Sequence, residues 1–365
     1  SLSVNPLNAV LLDTEGFTYQ VELAGVDDQL ATTNINPGEK VRGWVAFKIP
    51  EAAVPAKIKY TVGFFGGTEM VASLAQPPEG HTASGPSGQT ETATELSYLG
   101  DAVEYFGYTM TPLTVADPAQ PGMLYQAEAG KKLVAVEIIL SNLSGDPLSV
   151  NPLSAVLVDA EGFTYQAELA GVDDQIDTLV ILPGERIRGW VAYKVPEAAV
   201  PAAIKYAPDL WGEAFKAGLG QPPEGHTPVA EPTTAPPQEL PKLGEAVQGN
   251  GFTMTVHGVQ DPAQPGVLAK PKTGMRLVAV QIEIANQSGG ALSVNPLNAV
   301  LVDADGFVYT PELGGVDDQI ATLELGDGER VMGWVAFFIP ETAQPAAVKY
   351  GDTFTGQMVK AGLSQ

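Results

Sequence analysis

The chain of 365 residues sets 43 acidic side chains against 19 basic ones, a net charge of −24. A surface this acidic repels nucleic acid and anionic lipid, so neither is an expected partner. The lack of cysteine excludes disulfides and thiol chemistry, and no apolar run reaches membrane-spanning length. With 40 glycines and 30 prolines among alternating apolar residues, the expected class is all-β with many turns.

The chain opens on a stretch that recurs. Ser3–Gln29 reads SVNPLNAVLLDTEGFTYQVELAGVDDQ. It returns almost unchanged at Ser149–Gln175 and at Ser293–Gln319. A period of about 145 residues is that of a domain rather than of a solenoid repeat. Within the stretch, Phe17, Tyr19 and Val21 alternate with polar residues, which predicts a strand. Asp13-Thr14-Glu15-Gly16 separates it from the strand before, and the glycine supplies the positive φ of a tight hairpin.

The turn Asn36-Pro37-Gly38-Glu39 leads into VRGWVAFKIP. There Val41, Val45, Phe47 and Ile49 share one strand face, and Arg42, Trp44, Ala46 and Lys48 the other. Strands are expected at Ala56–Tyr60 and Glu69–Leu74, which closes unit one at residues 1–76. Residues 77–97, rich in Pro, Gly, Ser and Thr, read as a linker.

Unit two, 98–221, opens with a segment that unit one lacks, including the strong strand Lys131–Leu140 and the turn Asn142–Asp146. After a proline-rich linker, 222–241, unit three repeats this plan over 242–365, with Met275–Ala285 as the matching strand. Seven to nine short strands per full unit predict tandem immunoglobulin-like β-sandwiches.

LVAVEIILSN, then PLSVNPLSAVLVDAEGFTYQ, then LPGERIRGWVAYKVPEAA resemble a bacterial and archaeal family of extracellular, telokin-like immunoglobulin domains of unknown function. Units two and three match throughout, unit one only from the hairpin onward. The resemblance implies a secreted or surface-anchored module and transfers no catalytic residues.

Three histidines, His81, His226 and His257, recur at no folded position, so no Ser–His–Asp or metal–His mechanism has its parts. The chain is not expected to be an enzyme or to need a cofactor. Clustered carboxylates on turns could bind calcium. The candidates are Asp159, Glu161, Asp173 and Asp174 in unit two and Asp303, Asp305, Asp317 and Asp318 in unit three. Unit one offers Asp13, Glu15, Asp27 and Asp28. The competing reading is ordinary turn chemistry for Asp.

Asn142-Leu143-Ser144 and Asn286-Gln287-Ser288 are sequons on expected exposed turns, candidates for glycosylation. In unit three the outward face of the Trp strand reads Met332, Trp334, Ala336, Phe338, with Met332 and Phe338 where units one and two carry cations. An apolar patch on an acidic protein predicts an interface.

Unit one has no counterpart of residues 98–146, and should expose a sheet edge and the Val41–Ile49 face unless strands from upstream, or from a polymer neighbour, complete it. The expected role is structural or adhesive, as in a surface filament, stalk or layer, with self-association through units one and three. The alternatives are a ligand- or cation-binding surface module and an accessory region of a larger secreted protein.

Overall fold

The computed structural model describes residues 2–23, 26, 29–62, 68–75, 97–123, 125–207, 214–231, 240–270, 272–351 and 357–364. Asp27, Asp28 and His81 lie outside them. The protein is a tandem array of β-sandwiches, and among the described residues its helical elements are three-residue 3-10 turns.

Unit three shows the plan most plainly. One sheet runs Ala246–Gln248, Phe252–Gln260, Met275–Asn286, Arg330–Pro340. The facing sheet runs Val308–Tyr309, Ala299–Asp303, Pro345–Gly351, Met358–Gly362. Between them pack Val278, Val280, Ile282, Ile284, Val335, Phe337 and Leu301. Unit two repeats both sheets, and a short pairing of Ala167 and Glu168 with Tyr193 and Ala192 joins them into one.

The expected strands at 131–140 and 275–285 are present. Trp190 pairs with Glu137 and Trp334 with Gln281, which makes the two tryptophans equivalent. Tyr193 is fully buried in unit two, and its hydroxyl has no hydrogen-bond partner. Phe337 takes the same place in unit three.

Unit one retains the hairpin sheet, with Ala9–Asp13 between Thr18–Glu22 and Pro55–Val62 and with Thr68–Ser73 beyond. Its Trp strand shrinks to Ala46–Phe47, paired only with Glu22 and Val21. Trp44 is 68% exposed, and Val41, Val45, Phe47 and Ile49 are half-buried. The physical cause is the missing partner, because the Lys131–Asn142 strand that pairs with Arg186–Pro196 in unit two has no counterpart here.

One expectation is corrected. Phe338 is 9% exposed rather than part of an open apolar patch. Ala263, Leu277, Ala279, Val316 and Ala336 of its own unit cover it, and Lys272 Nζ lies 5.6 Å from its ring centre. Trp334 packs against the same cluster, and only Met332, at 55%, stays open. The segment after the first long strand folds over this face, which strand alternation alone does not reveal.

Over its described residues the second linker also differs from a free spacer, while residues 77–96 of the first lie outside the described residues. Among the described residues of 222–241, His226 Nε2 lies 2.8 Å from Asp101 Oδ1, which also accepts from Val229 N–H at 2.9 Å. Glu231 pairs with Arg186 at 3.0 Å. The start of the second linker is thus strapped onto unit two.

Candidate functional site

The sequence places a turn ending in glutamate before each Trp strand. In Leu182–Glu185, Gly184 adopts φ 81°. The Glu185 side chain folds back so that Oε2 accepts the Leu182 N–H at 2.9 Å. In unit one Glu39 accepts from Asn36 N–H in the same way, also at 2.9 Å. The local bond fixes where the carboxylate points, and it points out of its own unit.

Glu39 enters unit two. Its Oε2 accepts from Lys205 Nζ at 2.5 Å and its Oε1 from Lys216 Nζ at 3.2 Å, while Lys205 also donates to Asn34 O at 3.0 Å. Glu185 enters unit three identically. Lys349 Nζ donates to its Oε2, Lys360 Nζ to its Oε1 at 2.8 Å, and Lys349 also donates to Val180 O at 2.7 Å.

The side chains of Lys349 and Glu185 are 0% and 1% exposed, and those of Lys205 and Glu39 are 2% and 3%. Burial pushes the Glu185 carboxyl up, but Lys349 and Lys360 outweigh it and hold it below the usual range. Burial, opposed by the Asn36 amide and the two lysines, leaves Glu39 lowered as well. A buried pair adds little net stability over an apolar one. Removing one partner alone costs roughly 3–5 kcal/mol, because the other is left uncompensated.

Around each pair the backbone joins too. Lys40 N–H donates to Gly162 O at 2.6 Å, and Arg186 N–H to Gly306 O at 2.9 Å. A Cβ on Gly162 would lie 2.8 Å from Gly38 O, and one on Gly306 2.7 Å from Gly184 O, so only glycine admits the donor turn. Arg42 lies over the Phe163 ring and Arg186 over the Phe307 ring, both at 5.3 Å. Val300, Val302, Val308 and Ala347 of unit three join the apolar core cluster of unit two.

Four of the candidate metal carboxylates do other work. Asp159 Oδ1 accepts from the Glu161 and Phe163 amides and Oδ2 from the Tyr165 hydroxyl. Asp303 is held likewise by Asp305, Phe307 and Tyr309. These bonds shape the hairpin that receives the donor turn. Asp173 Oδ1 accepts from Met123 N–H at 3.1 Å, and Asp317 Oδ1 from Val267 N–H at 3.4 Å.

Asp173 and Asp174 line, with Asp303 and Asp305 of the next unit, a cleft of ≈ 810 Å³ between units two and three. Among the described residues no group of three or more His, Cys, Asp or Glu is placed to hold a metal, Asp318 included.

The sequon expectation is overturned. Asn142 and Asn286 are fully buried. Asn142 Nδ2 donates to Asp146 O and Ile181 O, and Asn286 Nδ2 to Gly290 O and Leu325 O. Each amide ties its turn to the sandwich interior, and a glycan on that nitrogen has no room.

In the sequence Glu39 stands out only as the end of a turn, and Glu185, Lys205 and Lys349 do not stand out at all. The signal that marks them is a lysine within the apolar runs AIKY and AVKY, repeated in register with a Gly-Glu-basic turn.

A family model matches residues 1–70, 97–217 and 241–360. The chain belongs to the family described as domain of unknown function DUF4352, of which it carries three copies. No curated protein matches it.

Solved structures similar to it include the yjhA protein of Bacillus subtilis, at 16% identity and TM-score 0.28 over 34% of this chain and 100% of that one. The secreted protein MPT63 of Mycobacterium tuberculosis matches at 14% identity and TM-score 0.27, over 33% and 94%. The ycdA protein of Bacillus subtilis matches at 13% identity and TM-score 0.28, over 33% of this chain and only 38% of its own length. Among the described residues no helix is long and apolar enough to cross a membrane.

Proposed function

We propose that the chain is a non-enzymatic structural repeat protein of the cell exterior, a spacer or filament element whose units are locked head to tail. The twice-repeated buried joint, Glu39 with Lys205 and Glu185 with Lys349, carries this reading. A protein that only strung binding domains on flexible linkers would need no such joint. Two copies of one interface with the same contacts instead fix the same unit-to-unit geometry twice. The extracellular setting is what the family resemblance implies. A cation-binding role has less support, since the turn carboxylates are already engaged by backbone amides and tyrosines.

Small-angle scattering tests the reading. The intact chain should give one sharp interdomain distance distribution. Glu39→Ala with Glu185→Ala should broaden it while each unit stays folded. A native chain already as broad as the double variant would refute a rigid array.

A further inference from the structure

Both halves of the joint occur a third time without a mate among the described residues. Unit three carries the donor half. Gly326 N–H donates to Glu329 Oε2 at 2.6 Å and Glu329 N–H to Gly326 O at 3.0 Å, the same fold-back that orients Glu39 and Glu185. Here the glutamate is exposed. Arg330, the counterpart of Arg186, follows it with a side chain 71% exposed.

Unit one carries the receiving half, in the part of the unit that is intact. Asp13 holds the hairpin turn and Tyr19 as Asp159 and Asp303 hold theirs. Gly16 has φ +91°, and a Cβ on it would meet nothing within 4 Å, where the equivalents on Gly162 and Gly306 meet a donor carbonyl. Phe17 is 62% exposed. Lys59 faces Val10 in the register that sets Lys205 opposite Val156 and Lys349 opposite Val300. Val10 and Leu12 are half-buried, while Val300 and Val302 are covered.

The two open halves depart from the internal joints in opposite senses of charge. On the receiving face Lys57 replaces the buried Ala203 and Ala347. On the donor, Glu324 stands at the position of Asn34 and Val180, and Asp327 at that of Pro37 and Pro183. One change runs the other way. Val71 lies opposite Lys59 where Lys216 and Lys360 lie opposite theirs, and Lys59 pairs with Glu69 at 3.0 Å. A docking Glu329 would take Lys59 from Glu69, with Lys57 as the second cation.

We infer that a second copy of this chain supplies the mate: Glu329 of one copy enters between Lys59, Gly16 and Phe17 of the next. The interface is heterologous, so copies add end to end, as a filament or as a ring where the rotation closes. The inference rests on the structural reading above.

The test is sedimentation velocity of the 365-residue chain over rising concentration at physiological ionic strength, which screens the mutual repulsion of two chains of net charge −24 beyond about 8 Å. The native chain should form dimers and longer species. Glu329→Ala, which retains only a receiver, and Lys59→Glu, which retains only a donor, should each lose association by roughly a hundredfold. Their equimolar mixture should restore 1:1 dimers that grow no further, a pattern only head-to-tail docking produces.

A native chain that stays monomeric at every concentration overturns the proposal. So does association that Glu329→Ala leaves intact, or a mixture that does not pair. A monomer with a sharp scattering distribution would sink this inference and leave the structural reading standing. A broad distribution would sink the reading itself.

Discussion

VRGWVAFKIP in unit one and IRGWVAYKVP in unit two differ at three of ten positions, each by a conservative change. The second lies in the eleven-residue strand Arg186–Pro196, paired along its length with Lys131–Asn142, and the first is strand at two residues. Both keep the local bridge that joins Gln29 to Trp44 and Gln175 to Trp190. The difference therefore lies in the partner and not in propensity. A pleated segment is stabilised by cross-strand neighbours and burial, which its own residues do not supply.

The largest test of this comparison places one charge at the same position in both copies. Val191→Asp puts a carboxylate at a site 1% exposed and should cost unit two more than ~4 kcal/mol, read as loss of its thermal transition. Val45→Asp, at a half-buried site, should cost about 1 kcal/mol or less. Equal losses would mean that unit one is covered in solution.

The lysines extend the contrast to the joints. Lys349→Ala leaves the buried Glu185 with Lys360 as its remaining cation and should weaken the joint of units two and three by roughly 1.5–3 kcal/mol, seen in chemical denaturation. Lys59→Ala, with the side chain 33% exposed, should stay within about 0.5 kcal/mol for the isolated chain.

Acid should open both internal joints. The folded carboxyls of Glu39 and Glu185 are held below their ordinary 4.5. Their contribution is therefore complete above that value and is lost as pH falls through the lowered folded value. Scattering curves unchanged from pH 7 down into that acid range would contradict the assignment.

The smallest expected effect is a gain. Tyr193→Phe removes a buried hydroxyl that has no partner and reproduces Phe337 of unit three. It should stabilise unit two by about 1 kcal/mol in denaturant titration. A loss of stability would show that the hydroxyl is satisfied in solution.

By itself the sequence determined the repeat, the hairpin with its glycine, and the strands at 131–140 and 275–285. Those features rest on alternation and turn chemistry, which are local. The uncovered Val41–Ile49 face of unit one was also legible, because a missing partner can be counted from the repeats, but the shrinking of that strand to Ala46–Phe47 was not. Only the tertiary structure decided which polar residues matter. Asn142 looks like an exposed sequon until its amide is seen tied to Ile181 O inside the fold. Phe338 looks outward until the segment holding Ala263 covers it. Glu185 reads as a turn residue, yet it is the plug of the next unit, because its partner Lys349 lies 164 residues away and meets it only when two folded surfaces close. Strand alternation says which way a side chain points but not what comes to lie over it, and that depends on contacts remote in sequence.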